Sequence, residues 1–156
     1  MASTYTPIAT TTLGSTSASV TLSSIPSTYT DLVVTITTTT TGDLTWRING
    51  DTGTNYSQTA IYGYSAFGSA RQSNATSHWL NYGTNGGNFL ALIQLNNYSN
   101  TTTYKSSLLR DGANGSTTDV MVGLWRSTSA INSLTFISGS NFAVGSTFTI
   151  YGIKAA

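Results

Sequence analysis

Hydrophobic and polar residues alternate with a period of two along most of this chain, the pattern of strands with one face in a core. "SVTLSSI" (residues 19–25) alternates through Val20 and Leu22. "DLVVTIT" sets Leu32, Val34 and Ile36 on one face, and "DLTWRING" sets Leu44, Trp46 and Ile48 on one face with Thr45 and Arg47 on the other. "DVMVGLWR" offers Val120, Val122 and Leu124 to the interior, "SLTFIS" offers Leu134 and Phe136, and "STFTIYGIK" offers Phe148 and Ile150. "NFLALIQLNNY" is apolar on both faces from Phe89 to Leu95, which predicts a central strand buried on both sides. With "TYTPIATTTL", "NYSQTAIYGY" and "TYKSSLLR", the pattern predicts about nine or ten strands and no sustained helix.

The punctuation agrees. Asn49-Gly50, Asp111-Gly112 and Asn114-Gly115 suit turns that need positive φ. Pro7 and Pro26 stand where strands end and a missing N–H does least harm. The five threonines at 37–41 continue the strand begun at Asp31, on its exposed face, and end at a Gly42-Asp43 turn. The expected fold is all-β: a single antiparallel β-sandwich, jelly-roll-like, over residues 1–156, with a short N-terminal arm at about 1–12.

Composition sharpens this picture. Thr (30), Ser (22), Gly (15) and Asn (12) make up about half of the 156 residues, a mixture that disfavours helices and suits strands and turns. Charged residues are only 7%, which could signal disorder, but 11% aromatics argue for a folded core. A net charge of +1 offers no basic field for nucleic acid, and no apolar run is long enough for a membrane helix. No cysteine is present, so disulfides and thiolate-held metals are excluded. The N-terminus lacks the charged and apolar regions of a secretory signal, so synthesis in a cytoplasm is expected.

Candidate chemistry is sparse. The carboxylates are Asp31, Asp43, Asp51, Asp111 and Asp119, with one histidine, His78. Among so many serines a Ser-His-Asp match carries no weight, no G-x-S-x-G turn occurs, and His78 beside Trp79 reads as a surface or interface residue. Asp43 and Asp51 could flank a glycosidic bond, but both sit where Asp caps turns. "DGANGSTTD" offers Asp111, Asn114 and Asp119 as oxygen ligands for calcium, yet its spacing is not that of an EF-hand, and an Asn-Gly turn accounts for it more simply. Catalysis is not expected, and neither a cofactor nor a metal is called for. Binding is better supported: residues 60–89 set Tyr62, Tyr64, Phe67, Trp79 and Tyr82 among Gly, Ser and Asn, as recognition surfaces do.

Across nearly the whole length, "YTPIATTTLGSTSASVTLSSIPSTYTDLVVT", "RINGDTGTNYS", "LNNYSNTTTYKSSLLR", "VGLWRSTSAINSLTF" and "NFAVGSTFTIYGIKAA" resemble small virion proteins of tailed bacteriophages. The matching motifs are turns and strands, with no catalytic residue among them. The resemblance implies a jelly-roll module that oligomerises, usually as a homotrimer, on the outside of a particle. One such job is capsid decoration, with the major capsid protein as partner. The alternative is a tail- or head-fibre tip that binds a host receptor or surface glycan, carried by Tyr62, Tyr64, Trp79 and Tyr82. A chain with no shaft or attachment helix fits decoration better, with the arm residues Ala2, Ser3, Thr4 and Tyr5 as candidate capsid contacts.

Overall fold

The computed structural model describes residues 4–64, 66–82, 87–113 and 117–154, with the Tyr64 side chain left out. Twelve strands form among them: β1 (Thr6–Thr12), β2 (Ser17–Leu22), β3 (Asp31–Thr40), β4 (Leu44–Ile48), β5 (Tyr56–Tyr64), β6 (Ala66–Ala75), β7 (His78–Trp79), β8 (Gly87–Asn96), β9 (Lys105–Ala113), β10 (Thr117–Trp125), β11 (Leu134–Phe142) and β12 (Thr147–Ile153). Ten answer to runs with the expected alternation. The other two are β6, polar along most of its length at a sheet edge, and the two-residue β7, both too weakly patterned to be legible.

The strands make two antiparallel sheets, ordered β1-β12-β3-β8-β9-β10-β5-β6 and β2-β11-β4-β7. If the hairpins β5–β6 and β9–β10 are set aside, consecutive strands fall in alternate sheets except β4 and β7, which pair with each other, and 1-12-3-8 faces 2-11-4-7. That is the double Greek-key wrapping of a jelly roll. The two hairpins are insertions, and both extend the same sheet. The large sheet therefore has four strands more than the sheet it faces.

The core lies between the sheets. Leu32, Val34 and Ile36 of β3, with Phe148 and Ile150 of β12, meet Leu44, Trp46 and Ile48 of β4 and Leu134 and Phe136 of β11. Phe148 stacks on Phe136 at 5.5 Å between centroids and meets Phe142 edge-on at 5.0 Å. A fully buried aromatic of this kind contributes about 3–5 kcal/mol when judged by truncation to Ala.

Several expectations change. The threonine run does end β3, but Thr38 and Thr40 point inward. Thr38 shares a hydrogen bond with Ser146 (2.6 Å), and Thr40 with Ser138 (2.8 Å), so hydroxyl pairs close one end of the sandwich. Gly42 leads into the opposite sheet, where an added Cβ would strike the Ser140 backbone nitrogen at 2.7 Å. Strand β8 is buried on one face only, and Leu90 on its other face is 59% exposed. Asp111-Gly112 lies inside β9 rather than in a turn, whereas Asn114-Gly115 falls outside the described residues. Asn49 and Gly50 do adopt φ of 53° and 65°, closed by the Asp51 N–H donating to Ile48 O at 2.9 Å.

The largest revision concerns β10, which faces the other way. Asp119, Met121, Gly123 and Trp125 point inward, and Val120, Val122 and Leu124 point to solvent. The segment expected as an arm is, from Thr6 to Thr12, an edge strand paired with β12. Ala2 and Ser3 lie outside the described residues, Thr4 is exposed, and Tyr5 leans edge-on against Tyr151 at 6.2 Å.

Candidate functional site

The two faces of the sheet extension differ chemically. On the outer face, strand alternation and register bring Leu90 of β8, Leu108 of β9, Val120, Val122 and Leu124 of β10 and Ile61 of β5 together. Leu108 sits opposite Val122, and Val120 opposite Ile61. All six are 38–59% exposed. On the outer positions of β8, β9, β10 and β5 the one charge is Arg110, opposite Leu92 on one side and Val120 on the other. Tyr5 extends this face toward β12, where it borders a hollow of about 290 Å³ with Val33, Leu92 and Tyr151. Phe67, 83% exposed, borders a second hollow of about 250 Å³ with Ile61 and Val120. A monomer rarely shows so much contiguous apolar sheet to water.

On the inner face, the small sheet ends at β7, and the aromatic residues gather beside that edge. Tyr62 and Tyr82 lie with ring centroids 4.9 Å apart, as do Trp79 and Tyr82. Three supports hold the group. Gln58 meets the Trp79 backbone as a neighbouring strand would: Trp79 N–H donates to Oε1 at 2.7 Å, and Nε2 donates to Trp79 O at 3.1 Å. Asp119 Oδ2 accepts from the Tyr82 N–H at 3.0 Å. Gly68, paired with Tyr62 across β5 and β6, leaves room for the phenol, since a Cβ there would come within 2.6 Å of Tyr62 Cζ. The expected aromatic segment thus divides. Tyr62, Trp79 and Tyr82 join at the sandwich edge, Phe67 stands on the opposite face, and the Tyr64 side chain lies outside the described residues.

Polar residues also stand on this inner face, among Tyr56, Ala60, Leu109, Met121 and Trp125, which belong to the core. His78 is 1% exposed, not a surface residue, and packs against Trp46 and Tyr56 with centroids 4.8 and 4.9 Å away. Its burial pushes the imidazole down to about 3, so the ring is neutral at ordinary pH. Ser107 Oγ and His78 Nδ1 lie 2.5 and 3.0 Å from the place a Cβ would occupy on Gly123, and neither has a hydrogen-bond partner. A serine and a histidine do therefore come close, but both are sealed in the interior, where no substrate could reach them.

Asp51 is a turn anchor. Burial pushes its carboxyl up, but hydrogen bonds from Asn55, Trp125 and the Gly53 N–H outweigh that and hold it below the usual range. Asp43 and Asp51 do not form a carboxylate pair. A pair does occur elsewhere: Asp111 of β9 and Asp119 of β10 stand directly opposite each other on the inner face. Burial, and then the charge of Asp119, push Asp111 up to about 8. Burial raises Asp119 as well, against the opposing hydrogen bond from Tyr82. Among the described residues, no three His or Asp side chains converge as a metal cluster, and no helix is long and apolar enough to cross a membrane.

No known sequence family matches the chain, and no curated protein is significantly similar to it. Among solved structures, exo-inulinase from Aspergillus awamori is similar over 96% of this chain, with 11% identity and a TM-score of 0.46, and this chain spans 29% of that protein. A tetrameric galectin from the ball sponge Cinachyrella sp. is similar over 83% of this chain and 96% of its own, at 9% identity and a TM-score of 0.33. Alginate lyase Aly36B is similar over 94% and 80%, at 8% identity and a TM-score of 0.32. Likenesses of this strength carry no functional information.

Proposed function

We propose that this chain is a bacteriophage virion structural protein that self-associates through the outer face of its large sheet and decorates the outer capsid surface. The observation that carries the reading is the apolar outer face from Ile61 to Leu90, interrupted by one charge, Arg110. Eight strands about 4.8 Å apart and about 30 Å long present on the order of 1,000 Å² per face, against the ~800 Å² per partner of a standard stable interface. Such a face needs a partner, and a second copy supplies one of matching chemistry, with closed symmetry as the usual outcome. The resemblance to phage virion proteins supplies the setting: synthesis in the host cytoplasm, then assembly as a homotrimer on the major capsid protein. Neither role calls for turnover, nucleic acid or a membrane.

The test is the copy number of this chain in purified particles, by quantitative mass spectrometry against the major capsid protein. A simple fraction of the capsid count is expected. A handful of copies per particle would overturn decoration and favour the alternative, a fibre tip that binds a surface glycan. One observation favours that second reading: Tyr62, Trp79 and Tyr82 form a braced, partly exposed aromatic group, and stacked rings of this kind suit sugar faces. Trp79→Ala and Tyr82→Ala should then abolish glycan binding with far-ultraviolet circular dichroism unchanged, whereas under decoration they leave capsid attachment intact as long as loss of their packing against the core does not unfold the protein.

A further inference from the structure

The inner face of the β9–β10 hairpin holds an uncompensated pair of acids. Asp111 and Asp119 face each other across adjacent strands, 8% and 2% exposed. Side chains directly opposite in an antiparallel pair have Cβ atoms about 5 Å apart, and like charges so placed repel. Of the four carboxylate oxygens only Asp119 Oδ2 has a hydrogen-bond partner, and Asp111 Oδ1, Asp111 Oδ2 and Asp119 Oδ1 have none.

A third oxygen group joins them. Thr117 precedes Asp119 by two residues on the same face of β10, diagonally across from Asp111. It is 4% exposed, and its hydroxyl is also without a partner. Buried polar atoms are nearly always paired, so four orphaned oxygens on neighbouring residues of one hairpin ask for a common ligand.

The chain's own cations do not answer. The Lys105 ammonium, at the far end of β9, donates to Thr103 O and Thr128 O. Arg110 is exposed on the outer face, and Arg126 is engaged with Ser57, Thr54 and Asn74. Arg47 donates to Thr76 O, Lys154 lies over the Tyr29 ring, and Arg71 is exposed on β6, opposite Thr59 of the outer face.

We propose that Asp111, Asp119 and Thr117 bind a hard divalent cation of the calcium type. Carboxylate and hydroxyl oxygens select such an ion over softer metals, which favour nitrogen and sulfur. Waters complete its coordination. The affinity falls with that of extracellular calcium modules, about 10⁻⁴–10⁻³ M, because only two carboxylates contribute. Its place is structural: the ion ties β9 to β10 beside Tyr82, whose N–H already meets Asp119. The proposal shares Asp111 and Asp119 with the calcium reading of "DGANGSTTD", but Asn114 lies outside the described residues and Thr117 takes part instead, with the strand face rather than loop spacing supplying the ligands.

The test uses the full-length protein, stripped with EDTA and titrated with CaCl₂ at constant ionic strength and pH 7.5. Scanning calorimetry should show the Tm rising with calcium, by about 5–10 °C at a hundredfold excess over Kd. Asp111→Asn should fold, should match or exceed the stripped parent in Tm, and should lose the calcium response. Thr117→Val should weaken the response without removing a charge. Terbium is a second readout, since Tyr82 and Tyr62 lie close enough to sensitise its emission. Calcium should quench that emission, and Asp119→Asn should lack it. A parent Tm indifferent to calcium, or a response retained in Asp111→Asn, would overturn the site. So would a Tm that rises on acidification but stays indifferent to calcium at every pH, because a shared proton alone would then hold the pair.

Discussion

Replacing Val122 by Asp tests the self-association face directly. Val122 is 57% exposed at the middle of β10, opposite Leu108 on one side and Thr59 on the other. Full burial of an aliphatic side chain is worth about 1.5–3 kcal/mol, so covering what the six outer residues still show contributes about 4–9 kcal/mol per protomer. In an interface where the patch meets itself, that doubles to about 8–18 kcal/mol, against about 4–15 kcal/mol lost in association. The upper half of that range gives a stable oligomer, and Val122 supplies about 2–3 kcal/mol of it. A carboxylate buried there without a partner adds several kcal/mol of penalty. The interface Kd should therefore rise at least a hundredfold, taking 1.4 kcal/mol per factor of ten. The isolated fold should lose no more than about 1 kcal/mol, since the site faces water in the monomer. Sedimentation equilibrium and light scattering at about 1–100 µM would read the association state, and thermal unfolding would read the fold. A parent that is monomeric at the upper concentration, or a variant that assembles as well as the parent, would refute the reasoning.

Three other outcomes are expected. His78 binds a proton below about 6.5 when unfolded but only near 3 when folded, so its contribution is complete above pH 6.5 and is lost as pH falls. At pH 4.5 that loss reaches about 2–3 kcal/mol in urea unfolding. His78→Gln should remove that slope, and comparing it with the parent at each pH cancels the opposite trend from Asp111 and Asp119 of the facing sheet. Gln58→Leu should cost about 1–3 kcal/mol by leaving the Trp79 N–H without its acceptor, with a red shift in tryptophan emission as the β7 edge loosens. Gly68→Val should drive Tyr62 off β6 and away from Tyr82, seen as a loss of near-ultraviolet circular dichroism. An unchanged spectrum would mean that the ring contact does not depend on the glycine.

The sequence carried most of the architecture because alternation is a strong signal where one face meets a core. Strands β3, β4, β11 and β12 were legible for that reason, and their faces point as expected. The Asn49-Gly50 turn was legible because few residue pairs tolerate two positive φ values in succession. The face of β10 was not. Its apolar set, Val120, Val122 and Leu124, is the exposed one, and its buried set includes an aspartate and a glycine. Alternation locates a strand but cannot say which side is the core when the outer side is apolar too. The same ambiguity made β8 look buried on both faces. Strands β6 and β7 were missed because an edge strand and a two-residue bridge leave almost no pattern. His78 was misplaced because a single polar residue beside Trp79 gives no periodicity to place it. The division of Tyr62, Trp79 and Tyr82 from Phe67 depends on pairing register, which no local stretch encodes.

These departures cluster on the inserted hairpins, and the insertions explain them. The eight strands of the jelly roll close a core between two matched four-stranded sheets, and there pattern and burial agree. The hairpins β5–β6 and β9–β10 lengthen one sheet only, so none of the described residues covers their outer face, while His78, Trp79 and Tyr82 pack on their inner one. An outer face free of the need for charge can be apolar and recruit a second copy. The inner face of the inserted strands can hold Asp111, Asp119 and Gln58, with His78 facing it from β7, while Trp46 and Phe136 stay fully buried. The division also separates the tests. Val122→Asp acts on assembly from one side of β10, Asp111→Asn acts on cation binding from the other side of the neighbouring strand, and residues pointing to opposite faces of a sheet should perturb one function without the other. If the two variants instead fail together, association and the acidic pair are coupled through the hairpin, and the ion would be a condition of assembly.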